Sequence, residues 1–335
     1  MIDPPPRLRV ALIGLGNWGS RLLEALLASP DFEVVALCDA DQMRLGASPG
    51  PAARFRSVSE LLNSVDCEAV FVAVTPQVQG QVALEVLAAG RHLFVEKPMS
   101  LSSSLAQSLN AVAKRKARIV CVGHLMRYQP LVVEALRLLR EGALGRVRRV
   151  FCERVGARPR LGVSAWWVLA PHDLSFLLAA FPGDAHWLRV TRDASGATWA
   201  SLALAGGVRA KLRIAGAGTP RRTTVVVGDG GALVLDEASS TLRRYSCSLV
   251  ATDDTELDEI LVELAEVSAD IRSLPGQPLQ RELEAFFRAV RFGEPLPTDA
   301  ADGYRVVAAL ESAELALLGA GPGATVRGGP VILKR

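Results

Sequence analysis

Short apolar runs alternate with helix-like segments over the first part of the chain. The apolar runs, each long enough for one strand, lie at residues 8–14, 32–38, 69–74, 92–95 and 119–122. Segments with apolar residues at helical spacing lie between them, at residues 18–29, 79–89 and 102–116. Strands that alternate with helices build βαβ units around a parallel sheet. The pattern therefore predicts an α/β domain with at least five parallel strands over residues 1–125.

The pattern changes after another predicted helix at residues 130–141. Longer predicted strands separated by turn signals follow at residues 146–154, 186–192, 198–205, 208–214, 223–227 and 232–235. Turns rich in glycine join several of them, which favours a largely antiparallel sheet. Two late helices are predicted at residues 280–291 and 300–318, where they can pack back on the first domain. We therefore expect a second, α+β domain over residues 126–335.

Composition narrows the function classes. The 335 residues suggest two domains, and 50% hydrophobic with 22% charged residues is typical of an ordinary globular chain. The formal net charge is +3 and the one dense basic run is residues 114–118, which argues against nucleic-acid binding. No apolar run of about 18 residues and no leader segment is evident, so we expect no membrane span. The chain has five cysteines, an odd number, and no C-x-x-C pair. This pattern favours a protein of the reducing cytoplasm.

A glycine-rich turn separates the first predicted strand from the first helix. Gly14, Gly16 and Gly19 form G-x-G-x-x-G, which lets backbone approach a pyrophosphate at a helix N-terminus. Asp39, twenty residues after Gly19, can accept hydrogen bonds from both adenosine ribose hydroxyls and would repel a 2′-phosphate. This predicts NAD rather than NADP. The alternatives are a turn without ligand and an Arg44 that meets a 2′-phosphate instead of lying on a helix surface.

Lys97 stands directly after a predicted strand, in the tripeptide Glu96-Lys97-Pro98. The carboxyl edge of a parallel sheet is where ligands bind. A following proline restricts Lys97 to extended backbone and permits the cis bond that tight turns use. Lys97 is thus a candidate site residue, and the alternative is an ordinary surface turn.

Several motifs together resemble one known family. GLGNWG at residues 14–19, CDAD at 38–41, VTP at 74–76 and VEKPM at 95–99 resemble the glucose-fructose oxidoreductase, inositol dehydrogenase and rhizopine-catabolism family, Gfo/Idh/MocA. Residues 122–130 resemble its segment leading into the substrate domain, and residues 279–286 with 292–295 resemble its return helix. Residues 167–175 are most similar to the branch that acts on nucleotide-linked sugars, notably at C3.

The resemblance implies a fold and a set of contacts. The fold is a Rossmann doubly wound parallel sheet plus an α+β domain with an open-faced, mostly antiparallel sheet, which usually forms a homodimer or homotetramer. The implied cofactor contacts are Gly14, Gly16, Asn17, Trp18, Gly19, Asp39, Thr75, Pro76, Glu96 and Lys97. The implied substrate contacts are Arg127, Tyr128, Arg158, Arg160, Trp167 and Asp173. No metal is implied.

Two residues are implied as catalytic. By position, Lys97 resembles the lysine that hydrogen-bonds the reacting hydroxyl, and His172 resembles the general base or acid. Hydride leaves an alcohol carbon only if the hydroxyl proton leaves too, so an imidazole beside a lysine cation suits the reaction. The alternative for His172 is a residue at the start of a helix after Pro171, capped by Asp173.

Two positions depart from the family pattern. Val168 replaces the aspartate usual four residues before the histidine, and Gly80 replaces a histidine usual after Thr-Pro. Loss of that carboxylate implies an unusual substrate or weakened chemistry. Arg154, with Arg158 and Arg160, either meets an anion or forms a solvated basic edge strand. The Trp166-Trp167 pair is expected in the core or as a pocket wall.

Three functions fit these observations. The leading hypothesis is a cytoplasmic NAD-linked oxidoreductase acting at a ring hydroxyl or ketone of a sugar or nucleotide sugar. The second is a catalytically idle member that binds cofactor or metabolite as a sensor. The third is a reductase of a non-sugar C=O, C=C or C=N bond. Retention of both Lys97 and His172 favours the first.

Overall fold

The computed structural model describes residues 5–156, 162–249, 251–252, 255–320 and 330–331. The chain forms two compact units. The first comprises Met1–Leu125 with Gln277–Val307, and the second comprises Met126–Gly276 with Ala308–Arg335. The first unit therefore takes in a late segment of the chain.

The first unit contains a six-stranded sheet whose strand pairs are all parallel. Its strands are β1 (Leu8–Ile13), β2 (Phe32–Cys38), β3 (Ala53–Phe55), β4 (Ala69–Val72), β5 (His92–Glu96) and β6 (Val120–Gly123). Their order is β3-β2-β1-β4-β5-β6. This is the doubly wound Rossmann order, in which ligands bind beyond the carboxyl ends of the strands where the order reverses at β1 and β4. The predicted parallel α/β domain is confirmed.

Five helices connect these strands. They are α1 (Asn17–Ala28), α2 (Gln42–Ala47), α3 (Val58–Ser64), α4 (Pro76–Ala88) and α5 (Ser103–Lys116). Side chains cap three of them, because Asp41, Ser57 and Ser102 each accept a backbone N–H in the first turn. α1 has no such cap, which leaves its first N–H groups to other partners.

The second unit contains a nine-stranded sheet. Its strands are β7 (Val147–Val155), β8 (Ala185–Arg192), β9 (Thr198–Leu204), β10 (Val208–Ala215), β11 (Arg221–Gly228), β12 (Gly231–Asp236), β13 (Thr241–Tyr245), β14 (Ala269–Ser273) and β15 (Pro330–Val331). The order is β14-β13-β12-β11-β7-β10-β9-β8-β15. β7 and β10 are parallel and the other described neighbours are antiparallel. The mostly antiparallel sheet is thus confirmed, with one parallel pair at its centre.

Three helices belong to the segment that forms this sheet, and two more follow later in the chain. The first three are α6 (Pro130–Arg140), α7 (Ala165–Ala180) and α8 (Leu257–Ala265). The last two are α9 (Pro278–Phe292), which belongs to the first unit, and α10 (Ala300–Ala320). Among the described residues, no helix combines the length and apolar character that crossing a membrane requires.

Aromatic residues join α9 to the first unit's sheet. Phe286 packs edge-to-face on Phe71 and on Phe94, with ring centroids 5.4 and 5.9 Å apart. Phe287 packs in the same way on Phe32 at 5.9 Å. Such pairs add stability beyond the area they bury, so this late helix is an integral part of the core.

Sequence patterns did not reveal every element. α7 lacks an apolar stripe because it is buried on nearly all sides, and Pro171 inside it resembles a helix breaker. α2, β3 and α3 are each seven residues or shorter, too short for a clear period. Short apolar runs therefore predict the buried strands, whereas periodicity misses very short elements and a helix that is buried on nearly all sides.

Candidate active site

The glycine loop at the end of β1 is tightly packed against backbone. Gly14 has φ +93°, and a Cβ atom there would lie 2.4 Å from the carbonyl oxygen of Ala73. At Gly19 a Cβ atom would lie 1.9 Å from the carbonyl oxygen of Gly14. No other side chain fits either position, so these two glycines set the path from β1 into α1.

Gly16 differs from the other two glycines because it faces open space. The nearest atom to a Cβ built there is Nη1 of Arg44, at 3.9 Å. Gly16 is also the N-cap of α1, which has no side-chain cap and no acidic residue in its first turn. Asn17 is exposed and Trp18 half-buried at this end. Uncapped N–H groups beside open space are suited to the pyrophosphate of a dinucleotide.

Asp39 lies beside this loop and is anchored to it. Its Oδ2 accepts a hydrogen bond from the backbone N–H of Leu15 at 2.6 Å, and its Oδ1 accepts one from Asp41 at 2.8 Å. Nη1 of Arg44 lies 3.9 Å from Oδ2 of Asp39, and its Nε lies 3.3 Å from Oδ2 of Asp41. Arg44 lies on the surface of α2, as the sequence favours, and its guanidinium stands close to both acids.

The turn that carries Lys97 is tied to α1 through Glu96. Trp18 donates its Nε1–H to Oε1 of Glu96, and the backbone N–H of Lys97 donates to Oε2 at 3.3 Å. Lys97 is half-buried, and the Lys97–Pro98 bond is cis. The predicted cofactor residues of the glycine loop and of this turn are thus connected by hydrogen bonds within one unit.

Gln79 holds the other side of the same turn. Its buried side-chain amide donates to the carbonyl oxygen of Glu96 and to that of Pro98, the latter at 2.6 Å. The residue lies on α4, which begins at the exposed N-cap Thr75 and at Pro76. Sequence reasoning missed Gln79, because a glutamine inside a helical segment carries no motif.

The second unit presents His172 on α7. Eleven of the sixteen residues of this helix are buried. Ala165, Val168 and His172 are instead half-buried and recur at helical spacing, so they share one accessible stripe. The helix begins at Ala165 and contains Pro171, so the alternative in which His172 starts a helix after that proline is wrong.

Asp173 follows His172 and lies in a buried ion cluster. Its side chain is 1% exposed, and its Oδ1 lies 3.0 Å from Nη2 of Arg154. The guanidinium also bonds Glu237, with Nη1 to Oε2 at 3.1 Å. Burial raises the pKa of Asp173, and the charge of Arg154 opposes that rise. Arg154 is on a central strand and 3% exposed, so a solvated basic edge strand is wrong for it.

The remaining predicted substrate residues have different surroundings. Trp167 is 4% exposed and donates its Nε1–H to Oε2 of Glu314 at 2.6 Å. Arg127 is half-buried and donates to the carbonyl oxygen of Ser175 on α7 at 3.2 Å, while Tyr128 is 6% exposed. Arg158 and Arg160 lie outside the described residues. Direct substrate contact by any of these residues stays a prediction.

Comparison with known proteins places this chain in a family. Residues 8–124 match the family described as "Oxidoreductase family, NAD-binding Rossmann fold", Gfo/Idh/MocA. A protein of Amycolatopsis mediterranei (strain S699) described as a UDP-kanosamine synthase oxidoreductase subunit is 30% identical over 298 residues, which cover 85% of this chain and 81% of that protein. The chain belongs to the Gfo/Idh/MocA oxidoreductase family.

Other Gfo/Idh/MocA relatives match over shorter stretches. dTDP-3,4-didehydro-2,6-dideoxy-alpha-D-glucose 3-reductase of Streptomyces antibioticus is 30% identical over 155 residues, 43% of this chain and 45% of that enzyme. Matches to two further curated relatives cover 36% and 54% of their lengths, so the chain spans about half the length of these relatives or less. The solved structure of UDP-N-acetylglucosamine 3-dehydrogenase GnnA from Acidithiobacillus ferrooxidans has TM-score 0.77 and 22% identity, covering 94% of this chain and 99% of that one. That likeness shows the shared fold.

Proposed function

We propose that the protein is an NAD-linked oxidoreductase that transfers hydride to or from a ring carbon of a sugar or nucleotide sugar. The observation that carries this proposal is the continuous path in the first unit from an open, uncapped helix N-terminus at Gly16 to the Lys97 turn, through Trp18 and Glu96. A bound dinucleotide would place its pyrophosphate at the helix N-terminus and its nicotinamide near the Lys97 turn. The sugar class is supported by the UDP-sugar and dTDP-sugar names of two relatives.

The residues of this chain supply binding and proton transfer. When bound, the nicotinamide cofactor accepts or donates the hydride. The Lys97 ammonium donates a hydrogen bond to the reacting oxygen and stabilises negative charge on it. His172 accepts the hydroxyl proton during oxidation and returns it during reduction. Arg154 fixes Asp173 and thereby holds the helix segment that carries His172.

NAD is the proposed cofactor in preference to NADP. A 2′-phosphate would stand beside the carboxylate of Asp39, which Leu15 anchors at the loop. Arg44 weakens the repulsion between Asp39 and a 2′-phosphate, because its guanidinium lies 3.9 Å from the Asp39 carboxylate. We therefore propose a preference of several-fold, with Asp39 setting its direction and Arg44 limiting its size.

Location and assembly complete the proposal. The five cysteines are free thiols and four of them are buried, which supports a reducing, cytoplasmic compartment. We propose a homodimer or homotetramer formed through the open face of the nine-stranded sheet. Light scattering of the purified protein measures that state directly.

The test of the function is a substrate screen. Purified protein is mixed with NAD or NADH and a panel of UDP-sugars, dTDP-sugars, free sugars and cyclic polyols, and the absorbance of the reduced nicotinamide is followed. Turnover with a sugar substrate is the expected result. Tight cofactor binding without any turnover would replace the proposal with a sensor that binds its cofactor and is catalytically idle.

A further inference from the structure

Glu282 is a fully buried acid on α9, in the first unit. Its side chain is 0% exposed, and neither carboxyl oxygen has a hydrogen-bond partner among the described residues. An ionised carboxylate without a partner is strongly disfavoured in a protein interior, and such a group neutralises instead. The surroundings of Glu282 therefore favour its protonated form.

The packing of α9 brings Glu282 to the end of β5. Phe286, four residues later, shares its helix face and packs on Phe94 with ring centroids 5.9 Å apart. Phe94 and Glu96 are two residues apart on β5, so their side chains point to the same side of the sheet. Four helical residues and two strand residues both advance about 6 Å. Arg291, near the end of α9, bonds Glu68 just before β4, so the helix runs towards the amino ends of the strands. Glu282 therefore lies on the side of Glu96, whose charge acts on it.

Glu96 has the hydrogen-bond donors that Glu282 lacks. Trp18 donates to its Oε1 and the backbone N–H of Lys97 to its Oε2. Gly123 is its partner on β6, and a Cβ atom there would lie 2.9 Å from three atoms of the Glu96 carboxyl group. The glycine leaves room for this carboxyl group, and the two donors stabilise its charge.

The titration of Glu282 agrees with this geometry. Burial, and after it the charge of Glu96, raise the pKa of Glu282 well above its ordinary value. Glu96 is the one charged group among the described residues that acts on it in this way. A negative charge on Glu96 disfavours a second one on the buried carboxyl group of Glu282, which favours the protonated form of Glu282.

We propose that Glu282 holds one proton at neutral pH and is a positioning residue: while it is neutral, Glu96 carries the only negative charge of the pair and stays bonded to Trp18 and to the Lys97 backbone. Ionisation of Glu282 would set two carboxylates against each other, displace Glu96 and loosen the turn that carries Lys97. The effect on Lys97 rests on the proposed function. The protonation of Glu282 does not.

Infrared spectroscopy of the cofactor-free protein tests the protonation. Wild type at neutral pH should show the carbonyl stretch of a buried carboxylic acid, which shifts in heavy water. Glu282→Gln should lose this band because the amide has no carboxylic acid group. Glu284→Gln, which changes an exposed acid on the same helix, should keep it. A difference spectrum between wild type and Glu282→Gln that lacks the acid band would overturn the proposal.

The pH dependence of stability provides a second measure on the same variants. Above the ordinary pKa of glutamic acid the unfolded chain loses its proton while folded Glu282 keeps it, so wild-type stability falls as pH rises towards the folded pKa. Glu282→Gln does not undergo this loss. Its folding constant relative to wild type should therefore grow, by up to about tenfold per pH unit, as the pH rises from about 5 towards the folded pKa. A ratio that stays constant or falls would contradict a protonated Glu282.

Binding of NADH as a function of pH tests the positioning role. Affinity should fall several-fold in wild type and in Glu284→Gln once the pH ionises Glu282, and should stay level in Glu282→Gln. Parallel profiles in all three proteins would overturn the positioning role. Absence of NADH binding at every pH would refute the proposed function, while the infrared band still decides the protonation.

Discussion

Among the described residues, the most deeply buried acid of the first unit and that of the second are neutralised in different ways. Asp173 in the second unit is 1% exposed and pairs with Arg154. Glu282 in the first unit is 0% exposed and has no hydrogen-bond partner among the described residues. Burial raises the pKa of both. A cation opposes that rise only at Asp173.

The two buried acids differ in how they hold the neighbouring elements in place. Arg154 on β7 joins Asp173 on α7 to Glu237 after β12, so one guanidinium holds three elements together. Burial alone would lower the pKa of Arg154, and the charges of Asp173 and Glu237 more than offset this. The guanidinium of Arg154 therefore keeps its charge in this buried position. Glu282, in contrast, is neutral only while the pH is below its folded pKa, so the arrangement around it depends on pH.

The largest predicted effect comes from removing the guanidinium. Arg154→Met keeps an apolar chain of similar length but leaves two buried carboxylates without a cation. Breaking a buried pair in this way should lower the free energy of unfolding by about 3–5 kcal/mol. Urea denaturation measures it. The control Arg148→Met removes an exposed pair with Asp229 and should leave the midpoint nearly unchanged. Equal losses in both variants would mean that the buried cluster is no more important than a surface pair.

The sequence predicts the candidate cofactor site of the first unit better than it predicts the buried polar contacts of either unit. The glycine loop, Asp39 and the Lys97 turn follow β1, β2 and β5 directly, so a local motif with its strand context predicts them. The Arg154 cluster joins residues 19 and 83 positions apart. The sequence marks Arg154 and Asp173 as separate candidate site residues, but nothing in it pairs them with each other or with Glu237. Gln79 and Glu282 likewise sit on helices whose period carries no sign of a buried polar contact.

The second largest effect is a loss of turnover when the proposed catalytic residue of either unit is removed. Lys97→Ala and His172→Ala should each lower turnover by about a hundredfold or more, because each removes one electrostatic or acid–base group. Cofactor affinity, measured by NADH fluorescence, should change little. Unchanged turnover in either variant would remove that residue from the mechanism.

A smaller effect is expected from adding an acid to the accessible stripe of α7. Val168 and His172 are four residues apart on that stripe, so Val168→Asp places a carboxylate one turn from the imidazole. Activity with ordinary nucleotide sugars should rise by about tenfold, which corresponds to about 1.4 kcal/mol of transition-state stabilisation. Steady-state kinetics over the sugar panel measures the change. A folded variant with an unaltered profile would show that position 168 does not contact substrate.

The smallest effect is the choice between the two dinucleotides. NADH should bind several-fold more tightly than NADPH, because Asp39 is the residue proposed to contact the adenosine ribose and its carboxylate would repel a 2′-phosphate there. Arg44→Ala should widen this preference by removing the cation beside Asp39. Titration by cofactor fluorescence gives both affinities. Tighter NADPH binding in wild type would mean that Arg44, and not Asp39, decides the specificity.

The central claim is hydride transfer to a ring carbon, and isotopic labelling tests it most directly. The protein is incubated with NADH that carries deuterium at both C4 positions of the nicotinamide and with the keto form of the best substrate from the panel, and the product is analysed by mass spectrometry and NMR. The account predicts one deuterium on the ring carbon that bears the new hydroxyl, in wild type, with transfer about a hundredfold slower in His172→Ala. A reduced product without deuterium on that carbon, or transfer at the wild-type rate without His172, would contradict it.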